Sequence, residues 1–296
     1  MILVTGATGF VGRHVVAALA PTTRVRALVR DARGAAVLSG IDCELAKGDV
    51  TDLASLRAAT RGCKAVVHLV AIIAGRPEDF ERVIAVGTRN LVEASQEAGV
   101  RKIVYVSALG TGRRAYDVVP YYRAKADAER AVVDSRIAQV ILRPSFVFGA
   151  DGGALPRFLR IARLAPVTPV IGSGRQRVQP IWIDDVVRAV GLALPLAGAT
   201  VELGGPDVVD WNDLWRRLKA ALGAQRPTVH VPSWLVRPQA ALLERLPNPP
   251  LTRDQLRMLE LGDNVVEDRG ESMRALGLED AVPLHEQLLR AARSLA

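Results

Sequence analysis

Short runs of β-branched and other apolar residues alternate with amphipathic stretches over the first two-thirds of the chain. The apolar runs predict β-strands at 2–5, 24–29, 42–47, 65–69, 102–107 and 139–142. The stretches between them predict helices at 11–19, 53–59, 78–98 and 121–135. Strand–helix alternation at this spacing is typical of an α/β protein with a Rossmann-type, doubly wound parallel sheet.

The pattern changes after Pro144, where prolines and glycines punctuate the chain as far as Pro180. Farther on it predicts helices at 184–194 and 210–222, a strand at 200–203, and a mostly helical tail from 234 that is interrupted at 247–250. We therefore expect a sheet domain over residues 1–150. A smaller, mostly helical lobe over residues 151–296 shares some elements with that domain.

Composition narrows the class of protein. The chain has 296 residues, 49% of them hydrophobic and 24% charged, as in ordinary globular domains. Two cysteines and the lack of a long apolar run favour a cytoplasmic protein. Peripheral contact with the inner face of a membrane is an interpretation that composition leaves open.

Basic charge is concentrated in the predicted sheet domain. The chain has 39 basic and 31 acidic residues, a net charge of +8. Residues 205–296 contain 12 basic and 13 acidic residues, so residues 1–204 hold 27 and 18. Because dinucleotides are polyanions, a basic nucleotide-binding half is the economical explanation. Nucleic acid is not an expected partner, since there is no basic block and aromatic residues make up 4%.

The strongest local motif is a G-x-x-G-x-x-G run that follows the first strand and opens the first helix. Gly6 permits the tight turn, Gly9 lets the backbone approach a pyrophosphate, and Gly12 lets the helix pack against the strand. The helix N-terminus adds amide donors for the phosphates. A purely structural turn is the alternative. The motif predicts a dinucleotide site made of Gly6, Thr8, Gly9, Phe10, Val11, Gly12 and Arg13.

The end of the second predicted strand bears on the choice of dinucleotide. An acidic residue there accepts from a ribose 2′-hydroxyl, whereas a basic residue accommodates a 2′-phosphate. Arg30 occupies this position, and Arg13 could reach the same phosphate. These arginines favour NADP(H) over NAD(H). In the alternative interpretation, Arg30 is a solvated charge and Asp31 caps the next helix.

Two further motifs complete the predicted site. Asp49 and Val50 follow the third strand, where the carboxylate could accept from the adenine amino group and the valine could pack on the ring. Alternatively, Asp49 or Asp52 caps the next helix. Tyr121 and Lys125 are spaced i, i+4 and share one helix face. A neighbouring ammonium lowers a tyrosine pKa toward the range that acid–base catalysis requires, and the same lysine could hold ribose hydroxyls.

These motifs carry a family resemblance. The T-G-A-T-G-F-V-G start, G-D-V after the third strand and Y-x-x-x-K resemble the extended and atypical short-chain dehydrogenases/reductases, which include sugar-nucleotide epimerases. More closely, the chain is similar to bacterial relatives of the NADPH-binding accessory subunit of respiratory complex I. That similarity extends over nearly the whole chain and is carried by residues 68–73, 87–94, 106–110, 142–149 and 180–186, and more thinly by 232–235 and 249–252.

The resemblance implies roles for individual residues. Tyr121 would be the catalytic acid/base and Lys125 its ribose-binding, pKa-lowering partner. The cofactor would also be lined by Leu69, Val70, Ala71, Pro144 and Ser145, the last two near the nicotinamide. Helices 78–98 and 121–135 could form a homodimer face, as in relatives, and contact with a respiratory or other membrane assembly is a further implied partnership.

The chain also departs from the family pattern. A substrate-binding hydroxyl is expected after the fifth strand, but Ala108 stands there, with Ser107 one residue early and Thr111 as a second candidate. The asparagine of the extended pattern falls at Ile84. We therefore carry three hypotheses. The first is an NADP(H)-dependent oxidoreductase that uses Tyr121, Lys125 and Ser107 on a carbonyl or hydroxyl substrate. The others are a catalytically silent NADP(H)-binding accessory or redox-sensing module, and an NAD-dependent sugar-nucleotide epimerase or dehydratase.

Other conspicuous residues receive structural interpretations. His68 is expected to be a hydrogen-bonded core histidine, and the scattered histidines predict no metal site. Three arginines at 157, 160 and 163 predict a solvated helix face, with an anionic substrate as the alternative. An apolar stripe is expected to pack in the core, with a membrane- or quinone-facing surface as the alternative. The stripe consists of Trp234, Leu235, Leu242, Leu243 and Leu246, beside Arg237 and Arg245.

Overall fold

A computed structural model describes residues 1–113, 116–244 and 251–294. Its strands, in chain order, are β1 (Ile2–Thr5), β2 (Val25–Val29), β3 (Glu44–Lys47), β4 (Ala65–His68), β5 (Lys102–Val106), β6 (Ala138–Pro144), β7 (Val147–Phe148), β8 (Thr168–Ile171), β9 (Arg177–Val178), β10 (Ile181–Trp182), β11 (Ala199–Leu203), β12 (Val209–Asp210) and β13 (Thr228–Val231).

Helices cover most of the remaining described chain. They are α1 (Phe10–Leu19), α2 (Ala32–Val37), α3 (Leu53–Thr60), α4 (Pro77–Phe80), a π-helical segment (Glu81–Val86), α5 (Gly87–Glu97), α6 (Pro120–Asp134), α7 (Leu155–Leu164), α8 (Ile183–Ala193), α9 (Trp211–Ala221), α10 (Ser233–Leu243), α11 (Arg253–Glu260), α12 (Glu271–Ala275) and α13 (Leu284–Arg293).

The main sheet has seven strands in the order β11-β6-β5-β4-β1-β2-β3. Strands β1 to β6 pair in parallel with their neighbours. The central strands β1, β4 and β5 consist of buried residues, because helices cover both faces of a parallel sheet. The edge strand β3 is largely exposed. The predicted Rossmann-type α/β class is confirmed.

The chain order creates a crevice between β1 and β4. From β1 the chain moves outward through β2 to β3, and then returns to β4 on the other side of β1. At such a reversal the loops after the two inner strands diverge, and nucleotides bind in the opening at the strands' carboxyl ends. The loops that begin at Gly6 and Leu69 lie at this reversal.

The helix predicted over residues 78–98 is interrupted by a π-helical turn. The structure has α4, the π-helical segment and α5 in direct succession. A π turn inserts one extra residue into a helix and often occurs at functional sites. Here it precedes Gly87, where a Cβ atom would come within 2.8 Å of Val50 Cγ2. Amphipathic periodicity indicates a helix but does not reveal such an insertion.

Several short elements are not among the strands and helices predicted from periodicity. Helix α2 corresponds to the alternative in which Asp31 caps the next helix, since the Asp31 side chain accepts a hydrogen bond from the amide of Gly34 at 2.8 Å. The two-residue strands and the parallel pair β8–β13 lie in the proline- and glycine-rich part of the chain. Runs this short carry too little periodicity to be detected.

Chain contacts divide the protein into two compact units. The first unit comprises residues 1–144, 184–202 and 271–279, and the second comprises 145–183, 203–270 and 280–296. In the second unit, helices α7, α9 and α13 pack on one another. The units are discontinuous in sequence, and the domain boundary at residue 150 stays a prediction.

Candidate cofactor and active site

The loop after β1 is shaped by close backbone contacts. Gly6 has φ of +71°, and a Cβ atom there would lie 2.9 Å from the carbonyl carbon of Leu69. A Cβ atom on Gly12 would overlap the carbonyl oxygen of Gly6. A side chain at either position would therefore separate β1 from its neighbours. The glycines expected to form the turn and the helix–strand contact occupy the positions that need them.

Helix α1 presents free amide groups at its N-terminus. Its N-cap residue, Gly9, makes no side-chain capping bond, and its amide donates to the carbonyl of Gly6 at 3.0 Å. The backbone amides of the first turn, those of Phe10 and Val11 among them, are thus available to an anion. The guanidinium of Arg13 lies 5.6 Å from the centre of the Phe10 ring, on the first turn of the same helix. This arrangement fits the pyrophosphate of a dinucleotide.

Two hollows adjoin each other at Arg30. One has a volume of about 400 Å³ and is lined by Arg30, Lys47, Gly48, Asp49, Asp52 and Ser55. The other, of about 230 Å³, is lined by Thr8, Arg30, Asp31, Arg33, Gly34 and Val37. Arg30 is exposed and is shared by both. Cationic groups therefore surround the place where the adenosine end of a dinucleotide is expected. The strand-end position indicated Arg30 from the sequence, whereas nothing in the sequence pattern pointed to Lys47 or Arg33.

The acidic residues near these hollows are already engaged. Asp31 caps α2 and Asp52 caps α3, each through a bond from a backbone amide. One carboxylate oxygen of Asp49 accepts from the amide and the hydroxyl of Thr51, both at 2.8 Å. The capping interpretation is thus met for Asp31 and Asp52. Asp49 keeps its second oxygen, so the adenine contact predicted for it stays a prediction.

Val50 is held from the helix that follows β4. The side-chain Nδ2 of Asn90 donates to the carbonyl oxygen of Val50 at 3.0 Å, and Gly87 lies against the valine side chain. Asn90 and Gly87 were not recognised as site residues, because only the folded chain shows which loop they touch. On the other side of the crevice, Leu69 and Val70 are half-buried and Ala71 is exposed. These three residues follow β4 as expected.

Tyr121 and Lys125 lie on α6, which begins at the carboxyl edge of the sheet. Lys125 is buried, and its Nζ donates to the carbonyl oxygen of Val106, the last residue of β5, at 2.9 Å. Burial lowers the pKa of Lys125 to about 7, and the charge of Glu129 opposes that shift. The lysine is therefore poised between its charged and neutral forms near neutral pH.

The expected lowering of the Tyr121 pKa is not found. Burial of the phenol instead raises its pKa well above the usual value. Its ring packs edge-on against Phe80 and Tyr122, with centroid distances of 6.1 and 5.2 Å. Because Lys125 is itself only partly charged at neutral pH, desolvation outweighs any assistance from the ammonium. In this structure Tyr121 is a neutral phenol.

The two candidate hydroxyls after β5 meet each other. Ser107 Oγ donates to Thr111 Oγ1 at 3.2 Å, and both residues are buried. Ile84, in the position of the family's asparagine, is fully buried. Ser145, expected near the nicotinamide, donates to Asn264 Oδ1 at 2.6 Å, a partner that sequence analysis missed. Pro144, also expected there, ends β6.

His68 forms a buried chain of hydrogen bonds. Thr88 Oγ1 donates to the carbonyl of Ile84 at 2.6 Å, so it accepts from His68 Nε2 at 2.9 Å. The other ring nitrogen, Nδ1, therefore accepts from the hydroxyl of Thr5 at 2.5 Å. Burial, assisted by the charge of Lys125, lowers the pKa of His68 to about 3. The histidine is a neutral core residue, as the sequence indicated, and it joins the end of β1 to α5.

The C-terminal apolar stripe does not pack as expected. Trp234, Leu235 and Leu242 on α10 are 68%, 45% and 67% exposed, so core packing is wrong for them. The side chain of Leu243 and all of Arg245 and Leu246 lie outside the described residues. The described helices include none that is long and apolar enough to span a bilayer. Within the same residues, no group of histidines, cysteines and carboxylates could hold a metal ion.

The crevice, the glycine loop and the unpaired helix N-terminus define a dinucleotide-binding protein. The family described as NAD(P)H-binding matches residues 6–156. A ceramide reductase from Caulobacter vibrioides is 30% identical over 237 residues, which cover 78% of this chain and 74% of that protein. The chain therefore belongs to the NAD(P)H-binding family and is an NAD(P)-dependent oxidoreductase of the extended, atypical short-chain dehydrogenase/reductase type. The family and enzyme class predicted from sequence are confirmed.

Two further similarities were expected from the sequence. The mitochondrial NADH dehydrogenase (ubiquinone) 1 alpha subcomplex subunit 9 of Arabidopsis thaliana is 29% identical over 229 residues, which cover 71% of this chain and 55% of that protein. The crystal structure of a UDP-glucose 4-epimerase with UDP-glucose from Thermotoga maritima has a TM-score of 0.78 at 22% identity. That match covers 99% of this chain and 98% of the epimerase and shows a shared fold.

The protonation of His68 predicts an effect of acid on stability. An unfolded histidine takes up a proton near its ordinary pKa of 6.5, whereas folded His68 stays neutral down to about pH 3. Stability is therefore lost as the pH falls through this window, with a slope of up to about 1.4 kcal/mol per pH unit. In His68→Gln the free energy of unfolding, measured by urea denaturation, should fall less steeply with acid. The exposed-site control His285→Gln should follow the wild type, and equal slopes for His68→Gln and wild type would refute the assignment.

Proposed function

We propose that the chain transfers a hydride between NADP(H) and a carbonyl or hydroxyl substrate, with Tyr121 as the proton donor or acceptor. The observation that carries the proposal is the arrangement of Tyr121 and Lys125 on α6. The lysine is anchored to Val106 at the carboxyl end of β5, and the tyrosine lies one turn nearer the crevice edge. This is where the nicotinamide end of a dinucleotide would reach.

The residues of the chain would divide the chemistry as follows. A bound nicotinamide supplies or accepts the hydride. Neutral Tyr121 donates its proton to the substrate oxygen during reduction, and its raised pKa keeps that proton available at neutral pH. Lys125 binds the ribose hydroxyls and, once charged, stabilises the phenolate. Ser107 or Thr111 positions the substrate oxygen, which requires their mutual hydrogen bond to open or to be shared.

The preference for NADP(H) rests on the two hollows beside Arg30. Lys47 and Arg33 line them with Arg30, and a 2′-phosphate could be held by guanidinium groups in bidentate fashion. Asp31, the residue that would accept from a free 2′-hydroxyl, spends one oxygen on the cap of α2. The NAD-dependent epimerase hypothesis finds less support here for the same reason.

Replacing Arg30 tests the cofactor assignment. Arg30→Ala removes charge-assisted bonds to the 2′-phosphate, which contribute about 1.5–3 kcal/mol, so NADPH affinity should fall roughly 10- to 100-fold. NADH affinity should change little. Arg24→Ala removes an exposed arginine just before β2, at the opposite edge of the sheet, and should leave both affinities unchanged. Calorimetric titration of the wild type and both variants measures the six affinities. An equal loss of NADPH and NADH affinity in Arg30→Ala would exclude a specific 2′-phosphate contact.

Replacing Tyr121 tests the reaction itself. With a panel of aliphatic, aromatic and lipid ketones and aldehydes, the wild type should oxidise NADPH in the presence of at least one compound. Tyr121→Phe keeps the ring packing but removes the acid, so kcat should fall by about 10²- to 10⁴-fold with NADPH affinity nearly unchanged.

The neighbouring Tyr122→Phe is the matched control, because Tyr122 packs on Tyr116 and Tyr121 and has no proposed chemical role. It should retain turnover. If Tyr121→Phe turns over substrate like the wild type, the tyrosine is not the acid.

The second candidate function is a member of this oxidoreductase family that binds NADP(H) without catalysing a reaction. Two observations favour it: Ser107 and Thr111 bond to each other, and Ile84 replaces the family's asparagine. In that case a tightly held nucleotide should co-purify, resist dialysis and show no absorbance change with any compound of the panel. Reduction of a panel compound by the wild type would remove this alternative.

Partner contacts remain proposals. The exposed apolar residues Trp234, Leu235 and Leu242 on α10 support contact with a membrane or a respiratory assembly. The homodimer face expected from the helices over 78–98 and 121–135 stays a prediction as well.

A further inference from the structure

We propose that the aromatic face of Tyr105 is a positioning element that holds the Lys125 ammonium beneath the cofactor crevice. Tyr105 lies on β5 and is fully buried, so it cannot itself touch a substrate. The catalytic role of Lys125 rests on the proposed function, whereas the contact between Tyr105 and Lys125 is independent of it.

Lys125 has an unusual environment for a charged group. It is 1% exposed and donates one hydrogen bond, to Val106. An ammonium carries three donors, and burying one without compensation is costly. The Tyr105 ring supplies a further favourable interaction with the ammonium, because Nζ lies over the ring, 4.9 Å from its centre. At that distance the negative face of the ring attracts a cation, most strongly where water is excluded.

No carboxylate takes the place of the ring. Glu129 lies one turn farther along α6, but its two oxygens bind Arg143 Nε and Nη2 at 2.9 and 2.6 Å. The charged residues of the π-helical segment that packs on α6, Glu81 and Arg82, are exposed on its outer side. Among the described residues, Lys125 forms no ion pair. The aromatic ring is therefore its main partner besides the carbonyl of Val106.

The position of the ring is fixed by the neighbouring strand. Tyr105 stands opposite His68 in the parallel register, and the two rings stack with centroids 5.4 Å apart and an angle of 25°. Burial keeps His68 neutral, assisted by the charge of Lys125, so no second cation competes with the lysine. Tyr121, on the face of α6 that carries the lysine, stays protonated and brings no compensating anion. The ring and the lysine are thus held in one geometry by β4, β5 and α6.

The ring rather than the hydroxyl of Tyr105 makes this contribution. The hydroxyl lies near Thr88, but it is buried and makes no hydrogen bond within normal geometric limits. Burial raises the pKa of Tyr105 well above the usual range, so it is never an anion beside the lysine at physiological pH. Phenylalanine should therefore replace this tyrosine with no loss of the contact.

The test is a titration of Lys125 in the full-length protein without nucleotide. The chain has five lysines, so labelled lysine side chains give few NMR signals, and Lys125→Met assigns the relevant one. Tyr105→Phe keeps the negative ring face. Replacement of Tyr105 by pentafluorophenylalanine keeps the shape but reverses the sign of the face. Tyr105→Leu removes the ring, and the fluorinated isostere carries the test if that variant does not fold.

We expect Lys125 to titrate in Tyr105→Phe as in the wild type. In the fluorinated variant its pKa should be lower by about one unit, since a desolvated cation–π contact is of that strength. An unchanged pKa in the fluorinated variant would overturn the proposal, as would an equal shift in Tyr105→Phe. Neither readout needs turnover. A wild type that reduces no carbonyl compound would defeat the proposed function while the lysine titration still decided this inference.

Discussion

The close approach of the backbone after β1 to the backbone after β4 is the constraint on which the site depends. At Gly6 a single added carbon would collide with the peptide of Leu69, and at Gly12 it would collide with Gly6 itself. Because no side chain intervenes, α1 can begin directly at the crevice with its first amides unpaired. The same approach brings Thr5 to His68, and so ties the end of β1 to α5, the helix that holds Val50. The nucleotide cradle is thus a consequence of backbone packing more than of individual ligands.

Burial then sets the chemistry at the other end of the crevice. It lowers the pKa values of His68 and Lys125 and raises that of Tyr121. Each shift favours the neutral form, as desolvation always does. At neutral pH, His68 and Tyr121 are therefore uncharged, whereas the pKa of Lys125 is close to the pH. A small additional interaction, from an aromatic ring or a bound ribose, decides whether that lysine is charged.

Much of this could be predicted from the sequence, and the reasons for the remainder are physical. The glycine spacing and the Tyr121–Lys125 pair are local patterns, and such patterns are sufficient to indicate the crevice and the candidate acid. The contacts of Asn90 with Val50 and of Thr88 with His68 could not be predicted, because the partners are distant in sequence. The π-helical turn has the same hydrophobic periodicity as an ordinary helix.

The predicted lowering of the Tyr121 pKa was wrong for a different reason. Spacing shows that an ammonium is near, but it does not show that both groups are desolvated. Likewise, Trp234, Leu235 and Leu242 have the spacing of a core helix, yet they are exposed. Amphipathic spacing identifies an apolar face without saying what covers it.

Calorimetric titration of the wild-type protein with NADPH, NADP, NADH and NAD shows whether the crevice is an NADP(H) site. We expect the phosphorylated pair to bind at least about tenfold more tightly, a difference of about 1.4 kcal/mol. Equal or NAD-favoured binding would contradict the role of Arg30. Absence of binding by all four nucleotides would contradict the account as a whole.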